Sequence, residues 1–247
     1  MSSASRVFAI LNLFSPEKPV WATDDIIETL GYTRPTGYRY VRELVEAGFL
    51  QKVAAGRYGL GARIAVLDLQ LRQTDPVLRA AVPWMHRLVE QTGFDAVLSS
   101  LWHQQVVDTH RVSPDDRLSL SYGRGRVRPL FRGAAPKVIL AHLRRHPLRR
   151  IYEIHAAEAA ANGIGGDWTE FRRYFTAIRK AGFYFSDGEL EPQLGAAAVP
   201  LFDAGGEVLG ALALVSDTGK LRAAGAERLA ATLRPLAREI QAVLNAV

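Results

Sequence analysis

No cysteine occurs among the 247 residues. That excludes disulfide staples, thiolate metal sites and cysteine nucleophiles, and it suits a reducing compartment. Long apolar runs are missing too: none reaches the roughly 18 residues a bilayer-crossing helix needs, so the chain is expected to be soluble and cytoplasmic, with no membrane partner. The opening stretch MSSASRVFAILNLF is interrupted by Asn12, and no small-residue cleavage site precedes Glu17 and Lys18, so it reads as a helix and not as a secretory signal. The six histidines, at 86, 103, 110, 142, 146 and 155, form no HExxH arrangement. His142 and His146 stand i, i+4, but before Pro147 and among arginines they read as a basic helix end, and no metal or cofactor is expected. No GxSxG elbow or Walker pattern occurs, and Gly123-Arg-Gly-Arg-Val-Arg lacks the third glycine and the helix of a dinucleotide fingerprint. Internal repeats and low-complexity tracts are absent as well.

What is present is an ordinary globular composition, 48% hydrophobic and 23% charged, at a length that suggests a small domain plus a medium one. The formal charge of +6 favours polyanionic partners, although it says nothing about specificity. Its distribution is uneven. Residues 1–80 hold ten Lys/Arg against eight Asp/Glu, whereas residues 111–150 hold eleven against two.

Val7, Ile10, Leu11 and Phe14 recur with helical spacing, and Ser15-Pro16 ends that helix. A second helix is expected from Thr23 as N-cap, with Asp24 and Asp25 in its first turn and Ile26, Ile27 and Leu30 buried, ending at Gly31. A third opens with Thr33 as N-cap and Pro35 in its first turn, and runs to Gly48. At 100° per residue its inner side carries Gly37, Val41, Leu44 and Val45. Its outer side carries Pro35, Arg39, Arg42 and Glu46, flanked by Thr36, Tyr38 and Glu43. Two short strands, Phe49 to Val53 and Tyr58 to Leu60, then form a two-stranded wing with Arg57 near its tip. Helix, tight turn, arginine-bearing helix and wing together make a winged helix-turn-helix that contacts double-stranded DNA. Thr36, Tyr38, Arg39 and Arg42 are candidates for base edges, Arg34 and Arg57 for phosphates, and Thr33 sits at the helix start.

The stretch Gly31-Tyr-Thr-Arg-Pro-Thr-Gly-Tyr-Arg-Tyr-Val-Arg-Glu-Leu-Val-Glu-Ala-Gly-Phe-Leu, followed by Gly56-Arg-Tyr-Gly-Leu-Gly, resembles the recognition helix and wing of the IclR family of bacterial transcriptional regulators. Thr36, Arg39, Leu44 and Gly48 match the family pattern. Pro35 replaces its usual Ser, and Gly37 its usual β-branched residue. The glycine should cost about 0.8–1 kcal/mol of helix propensity relative to Ala and thin the contact with the first or second helix.

Residues 62–74 read as an amphipathic linker helix bearing Ile64, Leu67 and Leu71. Beyond it a helix over 76–91, strands over 94–101 and 106–111, helices near 133–145, 147–161 and 168–181, strands over 183–187, 195–202 and 207–215, and a closing helix from 222 give an antiparallel sheet covered by helices. The expected fold class is α+β. The expected divisions are a DNA-binding domain over 1–61, a linker over 62–75 and an effector-binding and oligomerisation domain over 76–247. The resemblance continues here. Pro129-Leu-Phe-Arg-Gly-Ala-Ala-Pro-Lys-Val-Ile-Leu-Ala looks like the family's loop and helix before the effector pocket, and Ala181-Gly-Phe-Tyr-Phe-Ser-Asp-Gly-Glu-Leu-Glu with Gly195-Ala-Ala-Ala-Val-Pro-Leu-Phe-Asp like its late strands. It implies a GAF-like domain that senses a small organic or aromatic acid, and a homo-oligomer, a dimer or a dimer of dimers, on a palindromic operator.

Among Arg124, Arg126, Arg128 and Arg132, acidic partners are scarce, so one or two of these guanidiniums are candidates for a carboxylate or phosphate ligand, Arg132 first; a solvated loop or a subunit contact is the competing reading. Leu130, Phe131, Gly133 and Ala134 would lie beside Arg132, with Asp187 and Glu189 on the opposite wall and Ala197 as apolar lining. The alternative function is a DNA-tethered enzyme acting on a small anion. No assembled nucleophile and base support it, and no catalytic residue is assigned.

Overall fold

Thr74 and Asp75 divide the chain into two units, Met1–Thr74 and Asp75–Val247. The computed structural model describes residues 2–115 and 122–246.

The first unit opens with α1 (Ser3–Leu11), whose N-cap Ser2 accepts a hydrogen bond from the Ser5 N–H. Strand β1 (Trp21–Ala22), α2 (Thr23–Leu30) and α3 (Arg34–Glu46) follow. Gly31, at φ +65°, stops α2 in the left-handed conformation that glycine adopts without strain. Thr33 caps α3 with extended backbone, and Pro35 sits in its first turn, where the missing N–H costs nothing. Strands β2 (Leu50–Ala54) and β3 (Arg57–Leu60) and helix α4 (Arg63–Thr74) complete the unit. Ile10, Trp21, Ile26, Tyr40, Val41, Leu44 and Leu50 form its core.

Several local expectations are corrected. Thr23 is the first residue of α2, and the N-cap is Ala22, which offers no side-chain cap. Helix α1 ends at Leu11, and Phe14 reaches the core from the turn beyond it. The wing has three strands in the order β1-β3-β2, because Trp21 and Ala22 pair with Tyr58 and Arg57. Gly37 does not thin its contact: a Cβ built there would lie 2.2 Å from Ile27 Cγ1, so the α2 side chain fills the space that a larger residue would need. No α4 side chain is buried, and Val66, Leu69 and Leu71 are 45%, 55% and 55% exposed.

The second unit starts with α5 (Pro76–Thr92), capped by Asp75, whose Oδ1 accepts from the Val77 and Leu78 N–H groups. Then come β4 (Asp95–Trp102), β5 (Gln105–Val112), β6 (Val127–Arg128), α6 (Ala134–His142), α7 (Arg145–Ala161), α8 (Trp168–Ala181), β7 (Tyr184–Asp187), β8 (Leu194–Phe202), β9 (Val208–Asp217), α9 (Thr218–Ala224) and α10 (Ala226–Asn245). The strands form one antiparallel sheet in the order β6-β5-β4-β9-β8-β7. Both faces are covered, which is why β8 and β9 read as nearly continuous apolar runs instead of alternating. Ala198, Ala211 and Ala213 pack towards α6, α7 and α8 with Phe131, Phe171 and Phe175. Ala197, Val199, Leu212 and Leu214 pack towards α5, α9 and α10 with Met85, Leu221 and Leu233. The closing helix is in fact two, parted at Gly225 (φ +83°). Strand β6, too short for any periodicity, was not anticipated. No helix among the described residues is long and apolar enough to cross a membrane.

Candidate nucleic-acid interface and ligand site

On α3 the outer face is built as the spacing predicts; Tyr40, assigned to neither side, turns inward, 3% exposed, and meets Tyr32 edge-on at 5.8 Å. Arg34, Arg39 and Arg42 have side chains 78%, 54% and 71% exposed. Each guanidinium has one carboxylate nearby, at a loose distance: Asp24 at 3.6 Å, Glu43 at 3.7 Å and Glu46 at 3.7 Å. Exposed pairs of this kind are worth about 0.2–1 kcal/mol, so a phosphate or a base edge can take the arginine at little cost. Asp24, in the first turn of α2, also accepts from the Tyr38 hydroxyl at 3.3 Å, which ties that exposed ring to the preceding helix. Thr33 Oγ1 donates to Thr36 Oγ1 at 2.9 Å, pairing the two threonines at the helix start. A cleft of about 510 Å³ separates α3 from the wing, lined by Tyr38, Arg39, Arg42 and Tyr58 among others. Arg57 stands exposed where β3 begins, next to the Gly56 turn (φ +65°).

At the start of α6 the structure brings together Arg132, Gly133 and Glu189. Gly133, at φ +88°, is the N-cap of α6 and supplies no side-chain cap. Its N–H donates to Glu189 Oε2 at 2.9 Å, and the same oxygen accepts from Lys137 Nζ at 2.7 Å. Glu189 Oε1 accepts from the Tyr184 hydroxyl at 2.7 Å, which lies 3.1 Å from the Tyr174 hydroxyl. Burial first, and then its hydrogen bonds with Tyr174 and Glu189, hold the Tyr184 phenol well above its ordinary value. Arg132 Nε and Nη2 donate to the carbonyls of Glu189 and Leu190 at 2.7 and 3.1 Å. The first turn of α6 thus already holds a carboxylate, bound by a buried ammonium, a backbone amide and a phenol.

The other proposed lining residues divide between the two faces of the sheet. Leu130, Phe131 and Ala134 are buried in the core on the α6 face, Phe131 packing edge-on against Phe171 at 5.9 Å. Asp187 pairs with Arg222 of α9 at 2.6 Å, and Ala197 belongs to the core on the opposite face. Neither shares a wall with Arg132, because a strand sends neighbouring residues to opposite faces. In the arginine run, Arg124 donates to the Thr109 carbonyl, and Arg128 lies 3.9 Å from Asp108 with 11% of its side chain exposed.

Sequence reasoning missed Lys137 and two buried aspartates. Asp95 accepts from Arg111 Nε at 2.7 Å, Ser113 Oγ at 2.6 Å and the Tyr122 hydroxyl at 2.8 Å. Asp108, 1% exposed, accepts from Ser99 Oγ at 2.7 Å and the Gly123 N–H at 2.9 Å. Burial raises the Asp108 carboxyl above its ordinary value, against the opposing pull of Arg128 and the two hydrogen bonds. The signal was available: each is the one carboxylate of its strand, Asp95 at the head of DAVLSSLW and Asp108 within QVVDTHRV, and a charge drawn into a sheet needs a partner.

Residues 3–54 match the family model "IclR helix-turn-helix domain", and residues 70–242 the one described as "Bacterial transcriptional regulator IclR C-terminal". The chain is 24% identical over 246 residues to the HTH-type transcriptional regulator KdgR of Escherichia coli, covering 99% of this chain and 93% of that one. Among solved structures, an IclR transcriptional regulator from Alicyclobacillus acidocaldarius superposes with a TM-score of 0.80 at 25% identity, covering 98% of each chain. An IclR homolog from Microbacterium hydrocarbonoxydans, complexed with 4-hydroxybenzoate, gives 0.78 at 24% identity over the full length of both.

Proposed function

The chain belongs to the IclR family of bacterial transcriptional regulators, and from that premise we propose that it grips a palindromic operator through paired α3 helices while a small organic acid, bound in the second unit, controls the grip. The observation that carries the DNA reading is the outer face of α3, where three exposed arginines are held only by loose carboxylates beside an exposed wing. Thr36, Tyr38, Arg39 and Arg42 read bases, while Arg34, Arg57 and the Thr33 end of the helix contact phosphates. Such a partner sets its place of work in the cytoplasm. Symmetric reading requires at least a dimer, and the bare apolar surface of α4 supports self-association.

The effector acts at the first turn of α6, whose groups are suited to a carboxylate and already hold that of Glu189. The 4-hydroxybenzoate complex of the structural relative supports an acid as ligand class. An incoming acid competes with Glu189 for the Gly133 N–H and Lys137, and Arg132, tethered to the Glu189 and Leu190 carbonyls, links that exchange to the β7–β8 loop. Leu130, Phe131 and Ala134 are the apolar groups beside it. The acid changes DNA affinity only to the extent that it binds the two states of the protein unequally.

The test begins by enriching bound duplexes from a random pool with the full chain at fixed salt, then measuring Arg39→Ala and Arg42→Ala on the selected sequence. Loss of specific affinity in both is expected; unchanged affinity would remove α3 from the interface. Aromatic and aliphatic acids screened by thermal shift, with DNA affinity measured beside each hit, test the effector. An acid that stabilises the protein and leaves DNA affinity unaltered would refute the control.

A further inference from the structure

The basic block over 111–150 lies outside the DNA-reading face, and four of its eleven cations, Arg144, Arg145, Arg149 and Arg150, surround the start of α7. There a cleft of about 240 Å³ opens between the end of α6, the first turns of α7 and one side of α8. Leu143, Leu148 and Phe175 line it, with Trp168 alongside. Arg145, Arg172 and Arg179 complete the lining.

These three arginines are not equivalent. Arg179 donates through Nε and Nη2 to the carbonyls of Ala141 and Leu143, so its guanidinium is fixed as part of the wall. Arg145 and Arg172 have no hydrogen-bond or ion-pair partner on their side chains among the described residues. The nearby acids are engaged: Glu153 pairs with Arg149 at 2.8 Å, and Glu170 accepts from the Gly166 N–H at 2.8 Å. Arg149 lies over the Trp168 ring at 4.9 Å, and Arg173 lines an adjoining groove with Trp168 and Arg172. The first turn of α7 adds to this field: it contains no acidic residue and no side-chain cap, so its positive end also faces an unneutralised surface.

A concave apolar wall with two uncommitted guanidiniums beside it matches one kind of occupant. We propose that this cleft is a second ligand site, separate from the first turn of α6, that binds a small aromatic anion, an aryl carboxylate or aryl phosphate. The ring rests on Leu148, Phe175 and Trp168, and the anionic group is held between Arg145 and Arg172. An inorganic ion leaves the apolar wall unused. A DNA backbone has no flat apolar body for it, and duplex contacts fit an open basic face better than a concavity of this size.

The experiment titrates the full chain with phenyl phosphate and benzoate by calorimetry, following intrinsic tryptophan fluorescence in parallel. Saturable binding is expected, with quenching that disappears in Trp168→Phe. The exposed double variant Arg145→Ala/Arg172→Ala should raise Kd at least tenfold with its melting temperature unchanged, and inorganic phosphate should bind at least tenfold more weakly than phenyl phosphate. Glu189→Gln, which alters the α6 site, should leave this Kd unchanged. A Kd that follows Glu189→Gln and ignores the arginine pair would locate the probe at α6 and overturn the proposal. So would equal binding of inorganic phosphate, or displacement of phenyl phosphate by a short duplex whose affinity also falls in the arginine variant.

Discussion

The arginines of α3 and the wall-forming arginines of the sheet domain share a side chain and almost nothing else. On α3 they stand in water, each beside one carboxylate at 3.6–3.7 Å. In the sheet domain Arg111 is bonded to Asp95 at 2.7 Å, Arg132 and Arg179 are bound to backbone carbonyls, and Arg128 is nearly buried beside Asp108. A guanidinium already committed to carbonyls or a buried carboxylate holds the fold together, and one left with loose company is available to something outside it. Richness in arginine therefore marks neither role; the partners do. By that measure Arg132 supports the β7–β8 loop, and Arg145 and Arg172 resemble the α3 set although they lie in the other unit.

The contrast can be broken at its committed end first. Asp95→Ala leaves the Tyr122 hydroxyl without its acceptor and Arg111 without its carboxylate, and should cost about 3 kcal/mol or more of stability, read by urea unfolding of the sheet domain. Next, Gly37→Val forces a β-branched side chain onto Ile27 and should destabilise the first unit by about 1–3 kcal/mol, while the unfolding of the sheet domain stays where it was. Arg42→Ala sharpens the other side: stability should hold within about 0.5 kcal/mol, while affinity for a selected duplex falls roughly tenfold to a hundredfold. A large stability loss would mean that the α3 arginines are structural after all.

Asp108 gives a smaller, pH-dependent effect. Burial raises its carboxyl above the unfolded value, so its contribution to stability is full below the ordinary carboxylate range and is lost as pH rises through the raised value. Relative to Asp108→Asn, the unaltered chain should lose stability as pH rises above the ordinary carboxylate range; parallel stability curves would contradict this. Smallest of all, Arg34→Ala should reduce the salt dependence of DNA binding by about one unit of slope, uniformly across sequences.

Legibility in the sequence followed the range of the forces involved. Helix α8 came out with the bounds its pattern predicts, because Asp167, Gly182 and an apolar stripe are all local signals. The outer face of α3 was legible for the same reason, and so was the inner stripe, which Tyr40 joins with Gly37, Val41 and Leu44. β1 and β6 are two residues each and exist only through their pairing partners. In the candidate ligand site, Gly133 and Glu189 could be picked as residues, but nothing local says that they bind each other. Ala197 shows how little separates the two faces: Ala198, one position on, packs against α6.

The close fit of Gly37 against Ile27 has a consequence for engineering. With a would-be Cβ 2.2 Å from Ile27 Cγ1, positions 27 and 37 act as a single steric unit split between two helices, and the volume given up at one is taken by the other. Transplanting a recognition helix with a β-branched residue at position 37 into this scaffold would fail on shape before DNA was ever tested. The interchangeable module is the α2–α3 pair, and retargeting this regulator means exchanging both helices or trimming Ile27 to receive the newcomer.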